Sequence, residues 1–516
     1  MRKNNKIDPK FESLDQPSTM LKHVAELTNS STQTKHSIIL DELLDQIELV
    51  DFQSLAFPES IDLRNHLQNI DASSEEAKEI YKRLNKMNIT TKLYVVLSVE
   101  LVLDKARLNK WGICRNHDYI YLYNGSYWDE VNKEEFQKFL GESAERMGVQ
   151  KYQARYHKFR EELFKQFMAT AYLSTPEADN TSVYINLLNG TFEITANDRK
   201  LRIFRASDFL TYQLPFGYEP KAKAPLFQTY LDRVLPDIEK QKVLAEYLGF
   251  IFIKHGSNSL KEEKALVLYG SGANGKSVFF EIVNALFGEQ NISSYSLQSL
   301  TNDSGYYRAK IANKLVNYAS EINGKLEASI FKQLVSGEPV EARLPYGEPF
   351  TMKHYAKLIF NSNELPRDVE HTNAFFRRFM IVTFDETIPE AEQDKQLHAK
   401  IIDNELSGVF NWVLEGLERL LKQKRFTDCK AVQTAVEDYK TQSDSVKLYL
   451  KENDLQADAN NYRLIKELYS EYRCFCLEDG FKPVNKSNFT KRLESFGILV
   501  ERKNIGMVAF LIRSAK

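Results

Sequence analysis

Residues 265–277 read Ala265-Leu266-Val267-Leu268-Tyr269-Gly270-Ser271-Gly272-Ala273-Asn274-Gly275-Lys276-Ser277. The first five are an apolar run preceded by charge, and the last eight satisfy G-x-x-x-x-G-K-[ST]. Val278 to Phe287 follow with apolar residues at helical spacing, and Gly288 is a stop signal. Strand, glycine loop and helix together predict a phosphate-binding turn. Glycine lets backbone N–H groups crowd around phosphate oxygens, and the helix start adds positive potential. Gly270, Ser271, Gly272, Ala273, Asn274, Gly275, Lys276 and Ser277 are therefore the candidate residues for ATP. Lys276 would reach the β- and γ-phosphates and Ser277 would hold Mg²⁺. The bland alternative is a chance glycine turn, and the flanking strand and helix weigh against it.

A phosphate loop alone does not cleave ATP. An acid must activate water, a polar residue must sense the γ-phosphate, and a cation must neutralise transition-state charge. Leu315 to Ala319 reads as a second strand ending in Ser320-Glu321, so Glu321 is the candidate acid and a second candidate for holding Mg²⁺. Leu358-Ile359-Phe360 reads as a third strand ending in Asn361-Ser362-Asn363, and Asn363 is the candidate sensor. An Asx turn before Pro366 is its ordinary explanation. Arg377-Arg378 precedes the apolar run Phe379 to Phe384. Such a pair is either a solvated strand entrance or holds an arginine finger directed at a neighbouring subunit's nucleotide, with Arg378 preferred over Arg377.

The remainder of the chain sets these pieces in context. At 516 residues and 59.8 kDa, with 43% apolar residues, it predicts about three domains with sizeable cores. Lys+Arg 69 against Asp+Glu 71 leaves a net charge of −2, so any nucleic-acid contact must be local. Cys114, Cys429, Cys474 and Cys476 form neither a zinc framework nor a disulfide pattern. The start of the chain lacks the apolar core of a signal peptide, and Leu93 to Leu103 is short and contains Glu100, so it reads as a buried helix. A cytoplasmic place, in a bacterial host cell, and no membrane partner are expected.

Residues 1–105 predict a helical region, flexible up to about residue 35, in which no chemistry is legible. Residues 106–235 predict an α+β domain. Within it Tyr119 to Tyr123, Asn124-Gly125 and Ser126 to Trp128 form a hairpin signal. Its tyrosines either stack on bases or, more commonly, line a sheet face. Helix follows over Lys133 to Thr170, a strand over Val183 to Leu188, and a proline-punctuated linker over Pro215 to Pro225.

Taken together, Tyr123 to Trp128, Asn189 to Phe192, Leu248 to Phe250, Gly270 to Ser277, Leu315 to Glu321, Lys332 to Glu338, Ala342 to Phe350, Asn363 to Pro366 and Arg377-Arg378 resemble superfamily 3 helicases, from about residue 105 onward. The resemblance is to the phage and plasmid branch related to poxvirus primase-helicases. It implies an α/β fold class: a P-loop AAA+ core over 236–425, a mixed N-terminal region, and a winged-helix-like domain over 430–516. It also implies a homo-oligomeric ring, a hexamer, that hydrolyses ATP at subunit boundaries and moves 3′→5′ on single-stranded or forked DNA. Ser320 stands where many AAA+ ATPases carry Asp before the Glu, which puts a direct Asp–Mg²⁺ contact in doubt. The chain shows no Asp-x-Asp pair and little room for an N-terminal primase domain.

Val340 to Phe350 reads as a β-hairpin with Pro345 and Gly347 in a tight turn and Tyr346 at its tip. By the resemblance it projects into a central channel, with Tyr346, Arg343, Lys353 and His354 as candidate DNA contacts. Residues 481–516 hold eight basic and two acidic residues. There a helix over Ser487 to Phe496 and a hairpin about Asn504-Ile505-Gly506 suggest a winged helix, with Lys491 and Arg492 on its open face for DNA. Winged helices also serve protein contacts. The leading expectation is an ATP-dependent DNA helicase for replication of a phage, plasmid or other mobile element, working with element-encoded replication proteins. An origin-binding initiator that does not unwind, and a P-loop ATPase that remodels protein, are the competing readings.

Overall fold

A computed structural model of the chain describes residues 35–513, apart from 117–118, 174–181, 256–259, 321, 323–325, 346–348 and 367–368. It divides into two units, one reaching Gln213 and the other running from Leu214 onward, with the short pieces 180–183 and 194–199 counted to the second. The expected flexible start falls almost wholly on residues 1–34, outside the described residues.

In the first unit, helices α1 (His36–Asp45), α2 (Glu75–Lys86), α3 (Thr91–Leu108), α4 (Lys133–Met147) and α5 (His157–Thr170) accompany two three-stranded sheets. One sheet is β1 (Gly112–Asn116), β2 (Tyr119–Tyr123) and β3 (Trp128–Val131). The other is β4 (Val183–Leu187), β5 (Gly190–Ile194) and β6 (Arg199–Arg202). Thr90 caps α3 through Leu93 N–H, and Val95, Val99, Val102 and Ala106 bury one stripe of it. The Leu93 to Leu103 stretch is thus a buried helix, as its apolar run predicts. Leu43, Val99, Leu103, Ile113, Leu122, Phe136 and Phe167 share a single core. The boundary drawn at residue 105 therefore does not divide two bodies: α1 and α3 need the apolar face of β1 and β2. Asn124 Oδ1 accepts from the N–H groups of Ser126 and Tyr127 (3.0 Å each), which fixes the turn between β2 and β3. Tyr121 and Tyr123 are buried, so they line a sheet face and present nothing to a base.

The second unit is built on five parallel strands in the order β13-β7-β12-β9-β8. These are β7 (Ala265–Tyr269), β8 (Ile292–Ser293), β9 (Val316–Ala319), β12 (Lys357–Ser362) and β13 (Phe379–Thr383). A small antiparallel pair, β10 (Val340–Ala342) and β11 (Phe350–Met352), lies between β9 and β12 in sequence. The surrounding helices are α6 (Pro225–Val234), α7 (Ile238–Phe250), α8 (Lys276–Phe287), α9 (Ala328–Ser336), α10 (Leu397–Gln423) and α11 (Lys430–Gln442). Helices α7 and α10 approach so closely that a Cβ on Gly416 would stand 2.3 Å from the Ala245 carbonyl carbon. The proline-punctuated stretch 215–225 is no free linker. Asn411 of α10 donates to the carbonyls of Glu219 and Ala222 (2.9 Å each), and Ser407 to that of Gly217 (3.1 Å), so α10 straps it down.

Tyr439 of α11 lies between Phe376 and Phe379 and belongs to the sheet's core, so residues 430–442 go with that core and not with the C-terminal module. The module's own core starts at Val446. It contains α12 (Ser445–Glu452), β14 (Leu455–Ala457), β15 (Arg463–Leu464), α13 (Ile465–Glu478), α14 (Lys486–Ser495), β16 (Val500–Lys503), β17 (Gly506–Ala509) and β18 (Leu511–Arg513). Helix α14 buries Phe489 and Leu493, and β16 pairs with β17 around Asn504-Ile505. Among the described residues no helix is long and apolar enough to cross a membrane.

Lys357 opens β12 with its side chain buried, its ammonium 4.1 Å from the centre of the Phe250 ring and 3.1 Å from His255 Nδ1. His255 Nε2 lies 3.2 Å from the Tyr355 carbonyl, so Nε2–H donates there and Nδ1 accepts from Lys357. No carboxylate among the described residues pairs with this ammonium. Burial draws the Lys357 pKa down to about 7, and burial first, then Lys357, holds His255 well below the usual histidine value. An ordinary lysine titrates near about 10.4. Between these values the unfolded chain holds a proton that the folded chain has released, so this group adds stability as pH rises above about 7. Lys357→Met should raise the denaturant midpoint at pH 7 and weaken its rise between pH 7 and 9; an identical pH profile in both proteins would contradict this account.

Candidate functional site

The residues after β7 form an open turn. Gly272, Ala273 and Gly275 take left-handed φ values of 109°, 49° and 87°, and a Cβ on Gly272 would meet nothing within 4 Å, which leaves the space that a phosphate needs. On its other side the turn is tightly backed. Tyr230 of α6 donates to the Gly275 carbonyl (2.8 Å), and a Cβ on Gly275 would stand 2.6 Å from Val234. Asn274 donates to the Phe384 carbonyl (3.0 Å), and Ile388 N–H to the Ala273 carbonyl (2.8 Å). Lys276 is buried and donates to the Gly270 carbonyl (2.7 Å) and Asn274 Oδ1 (3.0 Å), and burial lowers its pKa from the ordinary value. Its ammonium is thus held over the turn by two neutral acceptors that an anion can replace. Ser277, in the first turn of α8, is exposed.

Tyr230 owes its position to a buried acid that sequence reasoning missed. Glu405 of α10 accepts from the N–H groups of Leu226 (3.0 Å) and Phe227 (2.9 Å) and so caps α6. A Glu within a long helical pattern carries no sequence signal of such a partner. Lys240 is another missed residue: it donates to Thr383 and to Asp385 Oδ2 (2.8 Å), fastening the end of β13 beside the turn.

Parallel pairing brings the strand ends together. Tyr269 lies opposite both Ser362 and Thr383, and Phe360 lies opposite Ala319. The turn, Ser320 and Asn363 therefore leave the sheet at one edge, and Ser320 and Asn363 are exposed there. Asn361 is engaged by the Tyr318 hydroxyl (3.0 Å), which leaves Asn363 as the open amide. Glu321 lies outside the described residues.

Arg377 and Arg378 lie at the opposite edge. Phe379 pairs with Ala265, and Ala265 N–H donates to the Arg378 carbonyl (2.8 Å). Five residues of strand, about 16 Å, separate them from the turn of the same chain. The two are not equivalent. Arg378 is 9% exposed, pairs with Glu263 (2.9 Å) and donates to Ser336 (2.9 Å). Arg377 is 65% exposed and only 3.5 Å from the same carboxylate. The sequence preference for Arg378 as the projecting residue is thus reversed, because its guanidinium helps hold α9 to the sheet.

The β10–β11 hairpin forms as predicted, but Tyr346 lies outside the described residues. Arg343 follows β10 toward the tip, whereas Lys353 and His354 follow β11 at the base. All three are exposed, but the hairpin holds Arg343 apart from the other two. Buried Arg308 anchors the hairpin through the carbonyls of Glu341 (2.9 Å), Leu300 (3.0 Å) and Asn302 (2.7 Å). In the C-terminal module Lys491 is exposed, but Arg492 turns inward and donates to Asp444 (3.1 Å). Asp444 also caps α12 through Val446 and Lys447 N–H (2.9 and 3.2 Å) and stands 3.8 Å from His371, in the segment leading to the arginine pair. The expectation that both basic residues share an open face fails at Arg492, which a buried carboxylate draws in.

Comparison with known proteins adds the following. Residues 89–236 match a family described as D5 N terminal like, and residues 268–378 match a family of unknown function, DUF5906. The chain is 24% identical over 234 residues to a protein of Acanthamoeba polyphaga mimivirus that is named provisionally as a helicase. That match takes in 42% of this chain and 23% of the mimivirus protein, so the chain spans about a quarter of that relative's length. Two apo structures of the NrS-1 C-terminal region are similar at 13% and 14% identity, each with a TM-score of 0.43, covering 81% and 82% of this chain and 99% of those chains.

The Asp444 junction gives a direct test of the geometry. Asp444→Ala removes a cap and leaves Arg492 without its carboxylate, which should cost about 1–3 kcal/mol. Asp444→Asn keeps a capping oxygen and should cost distinctly less. Equal denaturation midpoints for the two variants would show that capping does not govern this position.

Proposed function

We propose that this chain is an ATP-driven DNA helicase that works as a ring of identical subunits, a hexamer, in replication of a phage, plasmid or other mobile element. The observation that carries this reading is the separation of the open turn and Arg377 to opposite edges of one parallel sheet. A chain so built cannot bring its own arginine to its own turn, whereas a second copy can. The D5 N terminal like match and the mimivirus relative named as a helicase support it.

In this reading Gly270 to Ser277 cradle the phosphates of ATP, with Lys276 leaving its two neutral acceptors for the β- and γ-oxygens and Ser277 on Mg²⁺. The donor set fits, since the turn is open at Gly272 and its lysine is already aimed across it. The bound nucleotide and Mg²⁺ supply phosphoryl-transfer chemistry. Glu321 orients water, Asn363 senses the γ-phosphate, and Arg377, in place of Arg378, enters the neighbouring subunit's site. Arg343, Tyr346, Lys353 and His354 on the hairpin and Lys491 on the C-terminal module contact DNA. Single-stranded and forked DNA, and replication proteins of the same element, are the proposed partners, in the cytoplasm of a bacterial host. The helix-and-hairpin order of the C-terminal module, read as a winged helix, also favours an origin-binding initiator. Stimulation of hydrolysis by single strands supports the helicase, and stimulation only by one duplex sequence supports the initiator.

Lys276→Ala should abolish ATP hydrolysis and strand separation; normal unwinding by that protein refutes the assignment. Arg377→Ala should lower turnover by about 10³-fold or more with its melting temperature unchanged, whereas Arg378→Ala should lower the melting temperature. Mixing Arg377→Ala with Lys276→Ala subunits should restore part of the turnover, and full activity from a strictly monomeric chain would overturn the shared-site reading.

A further inference from the structure

The first unit carries a surface that neither the turn nor the hairpin accounts for. From Arg146 to Arg160 the sequence holds five basic residues and no acid, in a chain of net charge −2. The stretch forms the end of α4, a short helix Lys151–Arg155 and the start of α5. Its inner residues do the packing: Ala154 and Phe159 are buried in the unit's core. Lys151, Tyr152, Arg155, Tyr156, His157 and Lys158 face outward.

Tyr152 is 76% exposed and Tyr156 50%. These rings stand on a fixed backbone. Gln150 accepts from Gln153 N–H (2.9 Å), Gln153 donates to Thr91 (3.4 Å), and left-handed Gly148 closes α4 just before them. Two of the five charges are matched, Arg155 by Glu145 (2.9 Å) and Arg146 by Asp45 (3.1 Å). Lys151 and Lys158 have no ion pair or hydrogen bond among the described residues. Helix α5 starts here without a side-chain cap and without an acid in its first turn. Helix α4, by contrast, has the Asn132 cap and Glu134 and Glu135. The positive end of α5 therefore adds to the local charge, which Glu145, near Lys151, Arg155 and Arg160, offsets only in part.

We infer that this surface binds single-stranded nucleic acid, the tyrosine rings stacking on bases and Lys151 and Lys158 holding phosphates. Interleaved aromatic and basic residues are what an unpaired strand requires, because every base offers a ring face and every link a charge. A duplex hides its base faces and would use the charges alone. A protein interface also uses tyrosine and arginine at its centre, but it is depleted in lysine there, and here Lys151 and Lys158 flank both rings. The partner class agrees with the helicase reading and rests on it, but the site lies in the other unit from the hairpin and the C-terminal module.

The test is equilibrium binding of a fluorescent oligothymidylate to the full chain, with no nucleotide or Mg²⁺ present. Tyr152→Ala/Tyr156→Ala should bind at least about 10-fold more weakly, since each stacked base is worth about 1–3 kcal/mol. Tyr152→Phe/Tyr156→Phe should bind like the parent, because the ring and not the hydroxyl is used. Lys151→Gln/Lys158→Gln should reduce the slope of log affinity against log salt by about 1.4, at about 0.7 per phosphate contact. All four substituted side chains are outward-facing, and an unchanged circular dichroism spectrum confirms that folding is intact. Unaltered affinity in the alanine pair overturns the inference, as does an equal loss for a blunt duplex of the same length. A chain that hydrolyses ATP and unwinds DNA with tyrosine-independent binding sinks this site alone. Tyrosine-dependent binding by a chain that never hydrolyses ATP sinks the motor reading alone.

Discussion

Parallel pairing of β7 with β12 on one side and β13 on the other is the constraint from which the site follows. All strands of the sheet run the same way, so every residue after a strand emerges at one edge and every residue before a strand at the other. The glycine turn, Ser320 and Asn363 follow strands, whereas Arg377 and Arg378 precede one. No side-chain rearrangement within a chain can change that, because a one-residue slip would turn buried faces outward. Which residues gather at the edge of the turn and which lie at the other edge is therefore set by hydrogen-bond register and not by any local feature of the arginines.

The strands and the turn were legible in the sequence because their signals are local. An apolar run, a glycine spacing and a helical period lie within about twenty residues of one another, and β7, α8, β9, β12 and β13 form where they are expected. The hairpins around Asn124 and Asn504 were legible for the same reason. What remained hidden depends on partners distant in sequence. Arg377 and Arg378 are identical in type, adjacent and both beside Glu263, and it is the Ser336 hydroxyl and the Ala374 carbonyl that make Arg378 a buried strut while Arg377 stays an exposed cation. Arg492 sits at a position that its helix would leave open, until Asp444, 48 residues earlier, draws it in. Domain limits failed for the same reason, since α3 and β1 share a core that no composition shift announces.

Polar groups buried away from the site explain how the architecture tolerates its functional openness. The turn at Gly272 has no packing on its outer side, so it is shaped entirely from behind, by Tyr230, Val234, the Phe384 carbonyl and Ile388 N–H. At the far edge, Lys357 and His255 satisfy each other with no carboxylate paired to the ammonium among the described residues. Charge there is moderated by a ring face and a neutral imidazole, and the strand keeps its place at the sheet's centre. Asp444 unites a helix cap, an arginine and the histidine segment in one buried carboxylate, so the C-terminal module is seated on the stretch that ends in the arginine pair.

The Glu405 cap on α6 has a consequence for the order in which the protein comes into being. The carboxylate that fixes Leu226 and Phe227 lies 179 and 178 residues later in the chain. At ribosomal speeds of about 5–20 residues per second, roughly 10–35 s pass between the synthesis of the two partners. Through that interval the start of α6, the helix behind Gly275, lacks its anchor, although Tyr230, Val234, Phe384 and Ile388 are all made before Glu405. Firm backing of the turn is thereby tied to synthesis of α10, and fragments released before it lack the carboxylate that fixes the start of α6.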